Sequence, residues 1–369
     1  MATIVTPGGD VAIVGAGLVG LATAAALAAR GANVTLISTH HAGEASRAAA
    51  GMLAPGMESG TGPATAFALA ARDLYPSYIE ALAEVTGTMV PLNREGVLEL
   101  FANPGDAERR ESAPLGDGAV WLTPVQLHEL EPALSPMAGA VLYPLDGAVD
   151  NVELMRALHT MAESNPGIAI VDEAATGVEL DGVRPAVRLS SGATVDANVV
   201  VLAAGAWTPG LGGLPRPIPV EPVRGQMIAL DAAPLRHVAY SGHGYVVPRD
   251  PARSVVGSTM EHAGFDSHTT EAGLAQLHTT AVSMCPALAA ARTLDRWCGL
   301  RPVTPDLLPI LGPDPDVDTL YYACGHSRNG ILLGPLSGEC VAALIAGETP
   351  ELDLSPFSVS RFAKAPVTV

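Results

Sequence analysis

Positive charge is scarce in this sequence. Its 369 residues include 20 lysines and arginines against 38 aspartates and glutamates, a formal net charge of −18. Proteins bind nucleic acid largely through basic side chains that displace counterions from the phosphates, so we expect no nucleic-acid partner. Charged residues make up only 16% and hydrophobic residues 48%, which is typical of a compact globular protein and not of a disordered one.

Cysteines are also few, and they stand late in the chain. None of the four forms a Cys-x-x-Cys pair or has the histidine spacing of a zinc site, so we expect no metal centre and a reducing, cytoplasmic environment. The four are Cys285, Cys298, Cys324 and Cys340.

The longest uncharged run, Val11 to Ala29, has the length of a signal peptide or a membrane span. Asp10 precedes it directly, no lysine or arginine stands before it, and three glycines interrupt it early. Signal peptides begin with a basic segment, and membrane-spanning segments are usually flanked by basic residues on one side. We therefore expect neither export nor contact with a membrane.

This run instead has the pattern of a nucleotide-binding unit. Val11 to Val14 predicts a strand, Gly15-Ala16-Gly17-Leu18-Val19-Gly20 a glycine turn, and the following Ala- and Leu-rich stretch a helix that ends at Arg30-Gly31. A second strand follows at Val34 to Ile37. In this order the pattern favours dinucleotide binding, and the alternative is an ordinary glycine-rich turn.

Each glycine of the turn has its own physical reason. Gly15 would make the tight turn, Gly17 would let the backbone approach a pyrophosphate, and Gly20 would let the helix pack against the strand. The helix N-terminus then offers free N–H groups to the diphosphate. The acid that usually binds ribose is expected at Ser38, and a neutral hydroxyl binds ribose less firmly, by about 1 to 2 kcal/mol.

Three further stretches carry a family resemblance. Glu44 to Pro55 (EASRAAAGMLAP), Gly299 to Pro302 (GLRP) and Gly325 to Leu333 (GHSRNGILL) resemble the glycine oxidase branch of the D-amino acid oxidase family, which is associated with making the thiazole ring of thiamine. The resemblance runs through nearly the whole chain in order. It implies a flavin-dependent amine oxidase with FAD as cofactor.

The resemblance also implies an α/β fold with two interleaved domains. We expect a Rossmann-like FAD-binding domain from residues 1–88, 145–215 and 295–369, and an α+β substrate domain from residues 89–144 and 216–294 built on a mixed, largely antiparallel sheet. The sequence agrees, because Val199 to Trp207 reads as a buried strand that returns to a parallel sheet. Asp150-Asn151 reads as the capped start of a helix.

The resemblance, together with the glycine turn, gives a set of expected FAD-binding residues. They are Gly15, Ala16, Gly17, Leu18, Val19, Gly20, Ser38, Ser46, Arg47, Ala49, Ala50, Gly51, Met52, Leu53, Ala175, Ala204, Gly205, Trp207, Arg301, His326, Arg328, Asn329, Gly330, Ile331 and Leu332. Relatives such as sarcosine oxidases bond the flavin to a cysteine near Cys298. The matching position here is Gly299, so we expect noncovalent FAD.

Four residues are expected at the reacting carbon. By resemblance, Arg301 anchors the substrate carboxylate, Tyr245 donates a second hydrogen bond to it, Met260 forms an apolar wall and His243 lines the entrance. A planar guanidinium suits a carboxylate because two parallel N–H donors match its two oxygens. His243 and Tyr245 would project from one face of a strand at a spacing of two.

Each of these residues also has a structural alternative. Arg301 could cap a loop or pair with Asp306 at the surface. Tyr245 and Met260 could be core residues, and His243 could be a loop histidine. His326 and Arg328 could serve flavin packing alone. Arg224 is another candidate cation for the site, and we expect it to be structural.

The expected function is oxidative deamination of a small amino acid or amine, with glycine and sarcosine first and D-alanine next. The products would be an oxoacid, ammonia or methylamine, and hydrogen peroxide from dioxygen. The alternatives are a flavin-dependent dehydrogenase of a D-amino acid or secondary amine with another acceptor, a nicotinamide enzyme, and a flavin-binding protein without activity. The resemblance also implies a homotetramer.

Overall fold

The computed structural model describes residues 11–57, 62–250 and 252–363. Its strands are β1 (Val11–Val14), β2 (Val34–Ser38), β3 (Met52–Leu53), β4 (Leu92–Asn93), β5 (Val97–Phe101), β6 (Val120–Leu122), β7 (Gly139–Tyr143), β8 (Gly147–Val149), β9 (Ile168–Asp172), β10 (Ala175–Glu179), β11 (Ala186–Leu189), β12 (Thr194–Asp196), β13 (Val199–Leu202), β14 (Glu221–Leu230), β15 (Val238–Ser241), β16 (Gly244–Asp250), β17 (Arg253–Gly257), β18 (Thr293–Val303), β19 (Ile310–Pro313) and β20 (Leu320–Cys324). The helices are α1 (Leu18–Ala29), α2 (Ala45–Ala48), α3 (Pro63–Thr86), α4 (Pro104–Glu111), α5 (Pro124–Leu130), α6 (Asn151–Ser164), α7 (Glu271–Met284) and α8 (Gly330–Ile345).

A six-stranded sheet forms the centre of one half of the molecule. Its order is β19-β20-β13-β1-β2-β9, and every pair is parallel except β19 with β20. Helices α1, α3, α6 and α8 pack on one face, and the small sheet β10-β11-β12 packs on the other. Strand β1 is buried on both faces, which explains its uninterrupted apolar sequence. The prediction of a Rossmann-like parallel sheet is confirmed.

The second half is built on an eight-stranded sheet of order β18-β14-β17-β16-β15-β5-β7-β6. Its pairs are antiparallel except β15 with β5, so the predicted mixed, largely antiparallel sheet is confirmed. Alternate side chains of each strand point to opposite faces. One face packs on α5 and α7, and the other faces the parallel-sheet half.

Sheet membership bears on one of the predicted domain boundaries, which all stay predictions. The predicted boundary at residue 295 divides β18, which pairs with β14 along its whole length from Thr293 to Val303. A continuous ladder of hydrogen bonds keeps a strand in one sheet, so a division after Val303 fits the structure better. The domain ends at residues 1 and 369 lie outside the described residues.

Two glycines show why the first turn needs them. Gly15 has φ +111°, and a Cβ built there would lie 2.4 Å from the carbonyl oxygen of Ala203. A Cβ on Gly20 would lie 1.9 Å from the carbonyl oxygen of Gly15. A side chain at Gly15 would clash with the segment that follows β13, and a side chain at Gly20 would push α1 away from the turn at Gly15. Within the described part of the chain, no helix combines the length and the apolar character that a bilayer crossing requires.

Candidate active site

A cavity of about 1590 Å³ separates the two sheets. It begins at the carboxyl ends of the parallel strands, where open α/β sheets bind their ligands. Pockets for drug-sized ligands measure roughly 300 to 1,000 Å³, so this cavity has room for a dinucleotide and a small substrate together. The predicted site residues that line it are Gly15, Ala16, Gly17, Leu18, Val19, Ser38, Ser46, Arg47, Ala49, Ala50, Gly51, Met52, Ala175, Ala204, Gly205, Trp207, His243, Tyr245, Met260, Arg301, His326, Arg328, Asn329, Gly330 and Ile331.

Three of the predicted FAD-binding residues do not line the cavity. Gly20 lies where α1 crosses Gly15, so it serves the packing of helix on strand. Leu53 and Leu332 are each 2% exposed and belong to the core under the helices. Both stand next to residues that do line the cavity, and the direction of their side chains excludes them from it.

The N-terminus of α1 fits the diphosphate of a dinucleotide. Gly17 is its N-cap and lines the cavity, and no side chain of the first turn is acidic. The hydroxyl of Ser46 accepts a hydrogen bond from the amide of Leu18 at 3.0 Å. Ser46 therefore fixes the glycine turn against the segment that follows β2, and the dipole of α1 favours an anion in front of it.

A buried arginine holds the segment from Ser46 to Gly51 in place. Arg249 donates to the carbonyls of Val149 at 2.5 Å and Ala50 at 2.7 Å, and to Oδ1 of Asn151 at 2.7 Å. The amide of Asn151 in turn donates to the carbonyl of Ser46 at 2.9 Å. Burial lowers the pKa of Arg249. These contacts fix a backbone of small residues that a flat ring system could lie against.

The guanidinium of Arg301 lies on the cavity side of the antiparallel sheet. It donates from Nη1 to the carbonyl of Thr259 at 3.2 Å and from Nη2 to the hydroxyl of Ser258. Among the residues that the structure describes, its other N–H groups have no hydrogen-bond partner, and no carboxylate lies within ion-pair distance of it. An arginine without a counterion at a cavity wall is suited to bind a carboxylate.

Glycines make room for the side chains on this wall. A Cβ on Gly225 would lie 2.1 Å from Nη1 of Arg301, and a Cβ on Gly257 would lie 2.7 Å from the ring of Tyr245. Tyr245 is half-buried, and its hydroxyl makes one weak contact, 3.5 Å from the sulfur of Met227. The same face therefore carries a guanidinium and a phenol, and both residues line the cavity.

The remaining predicted side chains differ in position, because two lie at the cavity entrance and one is buried. His243 lies in the turn between β15 and β16 and is exposed, so it does not share the regular strand alternation with Tyr245. Met260 is 67% exposed at the rim. His326 is buried, and its Nε2 is 3.0 Å from the hydroxyl of Ser337. Burial lowers the pKa of His326 to about 3, so the imidazole stays neutral.

Arg301 does not pair with Asp306, which binds the guanidinium of Arg361 instead, with Nε to Oδ2 at 2.7 Å. The other alternative, an arginine that caps a loop, is compatible with its bonds to Ser258 and Thr259, so the role of Arg301 stays a prediction. Arg224 is buried and pairs with Glu261 and with Asp266, as expected of a structural cation. These carboxylates neutralise its charge.

Sequence reasoning missed several residues of this cavity. Glu99 on β5 and Tyr240 on β15 are register partners and line the wall beyond Tyr245. The carboxylate of Glu99 accepts a hydrogen bond from Tyr143 at 2.8 Å. The alternation of residues along β5 predicts that Glu99 lies on the face opposite Leu98 and Leu100. It does not predict which of the two faces meets the cofactor.

The fold and this site define an FAD-dependent oxidoreductase. Residues 10–344 match the family described as FAD dependent oxidoreductase, and the chain belongs to that family. The predicted cofactor, FAD, is confirmed.

The particular relatives are glycine oxidases. The glycine oxidase of Geobacillus kaustophilus is 34% identical over 365 residues, which cover 95% of this chain and 97% of the relative. Its crystal structure matches with a TM-score of 0.88 over 95% of this chain and 98% of that one. The predicted resemblance to the glycine oxidase branch is confirmed.

A second group of relatives is longer than this chain. The bifunctional protein ThiO/ThiG of Nostoc sp. (strain PCC 7120) is 35% identical over 376 residues, covering 98% of this chain and 56% of the relative. The chain thus spans about half the length of the ThiO/ThiG relatives that it matches. The iminodiacetate oxidase of Chelativorans sp. BNC1 is 28% identical, with a TM-score of 0.86 over 95% of this chain and 98% of that one.

Proposed function

We propose that the protein oxidises a small amino acid, with glycine and sarcosine as first candidates and D-alanine next. The observation that carries the proposal is the guanidinium of Arg301, which faces the cavity without a carboxylate partner. The half-buried Tyr245 lies on the same face of the sheet. A substrate carboxylate held by these two groups would leave the α-carbon directed away from the wall and into the cavity.

The residues of this chain would act mainly by binding and orientation. Arg301 offers parallel N–H donors and Tyr245 a hydroxyl donor, so together they fix one end of the substrate. Fixed orientation is the main requirement when the cofactor supplies the redox chemistry. His326 is neutral and buried and cannot exchange protons with substrate near neutral pH. When bound, FAD supplies the two-electron acceptor for the C–H bond.

The products follow from this chemistry. Loss of a hydride from the α-carbon of a neutral amine leaves an iminium ion. Water converts the iminium ion to an oxoacid and ammonium, or methylammonium when sarcosine is the substrate. We propose dioxygen as the second substrate and hydrogen peroxide as its product. The similarity to ThiO/ThiG proteins supports a role in making the thiazole of thiamine. The homotetramer stays a prediction.

An anaerobic reduction experiment tests the proposal. The purified protein is mixed without oxygen with glycine, sarcosine, D-alanine and L-alanine, and the flavin absorbance near 450 nm is followed. We expect at least one of the first three to bleach it and L-alanine to leave it unchanged. Bleaching by none of the three would contradict the proposal. Peroxide formed after air is admitted identifies an oxidase, whereas a reduced flavin that only an artificial acceptor reoxidises identifies a dehydrogenase.

A further inference from the structure

The acid that usually binds the adenosine ribose is missing from β2. Ser38 is the last residue of that strand and lines the cavity. A serine hydroxyl makes a neutral hydrogen bond, which is weaker than one to a carboxylate. The adenosine half of FAD therefore needs another anionic acceptor close to Ser38, or it is bound more weakly.

The neighbouring strand supplies a carboxylate at that place. Asp172 is the last residue of β9 and the register partner of Ser38 in the parallel pair β2–β9. Register partners on adjacent strands project to the same face about 5 Å apart. Asp172 lines the cavity, and its carboxylate forms neither a hydrogen bond nor an ion pair with any residue that the structure describes.

We propose that Asp172 binds the ribose hydroxyls of the adenosine half of FAD, in place of the acid that Ser38 replaces. In this chain the acid stands on β9, the strand next to β2. It lies at the same carboxyl edge of the sheet, where dinucleotides bind. The proposal rests on the FAD cofactor and is independent of the substrate proposed above.

The surroundings of Asp172 suit an adenosine. Ile170 lies two residues earlier on the same face of β9, is 43% exposed and lines the cavity. Helix α6 packs against β9 and presents His159 to the same region. Burial and the nearby Arg47 lower the pKa of His159. An isoleucine side chain and an imidazole ring together offer a surface against which the flat base can pack.

Two other carboxylates line this end of the cavity and are weaker candidates. Glu44 already accepts a hydrogen bond from the amide of His41 at 2.9 Å and lies 3.2 Å from Nδ1 of His40. Glu163 stands on α6, one turn beyond His159, and not at the edge of the sheet. Asp172 alone among the three is paired in register with Ser38.

The proposal also explains why a serine is acceptable at position 38. An acid at both register positions would put two carboxylates about 5 Å apart, and like charges at that distance repel one another. An aspartate at position 38 should therefore weaken FAD binding in the wild-type background. It should strengthen FAD binding once Asp172 has lost its charge.

Release of FAD from the diluted holoenzyme tests the proposal. Free FAD fluoresces more than bound FAD, so the fraction released on serial dilution gives a dissociation constant without any substrate. We expect Asp172→Asn to raise that constant on the order of tenfold. Asp196→Asn is the matched control, because Asp196 is an exposed strand residue of the same half outside the cavity. It should leave the constant unchanged.

A rescue experiment separates binding from a structural effect. In the Asp172→Asn background, Ser38→Asp should recover most of the lost affinity, whereas the same change in the wild-type background should not increase it. An unchanged constant for Asp172→Asn overturns the proposal. So does a lost affinity that Ser38→Asp fails to restore, or a larger loss from Glu163→Gln than from Asp172→Asn.

Discussion

The guanidinium of Arg301 lies against the backbone of Gly225. A Cβ built at Gly225 would come within 2.1 Å of Nη1 and 2.5 Å of Cζ. The two residues stand on adjacent antiparallel strands, where Arg301 pairs with Val223 and Gly225 with Gly299. The arginine thus leans along the sheet by two residues toward Ser258 and Thr259, and the absence of a side chain at position 225 makes that path available.

Replacing this glycine should displace the arginine. In Gly225→Ala, the new methyl group would overlap the guanidinium, so we expect the KM for the amino acid substrate to rise at least tenfold while the flavin content stays unchanged. Gly116→Ala is the control, because a Cβ there meets no atom within 4 Å. Steady-state kinetics and the flavin spectrum check both variants. An unchanged KM in Gly225→Ala would show that the arginine does not hold the substrate.

Removing the guanidinium itself should have a larger effect. A charge-assisted hydrogen bond contributes about 1.5 to 3 kcal/mol, so Arg301→Ala should raise the apparent substrate constant at least tenfold. Arg296→Ala is the matched control on the same strand. Arg296 pairs with Ile228, whose side chain packs on the other face of the sheet, and its Nη1 is 3.2 Å from Glu271. Equal kinetics for the two variants would remove Arg301 from the site.

The buried His326 should make stability depend on pH. Its pKa is about 3 in the folded protein and 6.5 unfolded, so between these values the unfolded chain binds a proton that the folded one does not. The free energy of unfolding is therefore not reduced by His326 above about pH 6.5, and it decreases as the pH falls from 6.5 toward 3. Going from about pH 7.5 to 5, the wild type should lose roughly 2 kcal/mol more unfolding free energy than His326→Gln.

Urea unfolding of both holoenzymes at the two pH values measures that difference. Other buried groups titrate in both proteins, and comparison with the variant removes their contribution. Asp146 is one of them, since burial raises its pKa to about 6. Equal losses for the two proteins would show that His326 is protonated in the fold.

The flavin should be free of a covalent bond to the protein. The thiol of Cys298 contacts the carbonyl oxygen of Ser267 at 2.7 Å and is not among the cavity-lining residues. Burial raises the pKa of the Cys324 thiol, which does line the cavity, to about 12, and a protonated thiol is a poor nucleophile. Acid precipitation should leave all the yellow colour in the supernatant. A yellow pellet from the wild-type protein, together with a colourless pellet from Cys298→Ser, would contradict this prediction.

The sequence predicts local features well because their causes are local. The turn at Gly15 and the close packing at Gly20 follow from the steric demands of a strand, turn and helix within a few residues. The parallel strand from Val199 was recognisable as a short buried run. The predicted boundary at 295 falls inside β18, because sheet membership of β18 depends on its partner β14.

The sequence predicts the direction of side chains at the site less well than it predicts turns and helices. Leu53 and Leu332 stand inside motifs of the family, and both point into the core. Glu99 and Tyr240 carry no motif, and they line the cavity because β5 and β15 lie side by side in the sheet. These outcomes depend on which strands pair and on which face of the sheet meets the other half.

By itself, the sequence determined the nucleotide-binding unit, the FAD family and the residue types available for a carboxylate substrate. Only the tertiary structure decided that Arg301 has no counterion among the described residues while Arg224 has two, and that Asp172 lies beside Ser38. The physical reason is that a turn or a helix depends on neighbours in the chain. The charge balance of a cavity depends on side chains that sheet pairing brings together from distant segments.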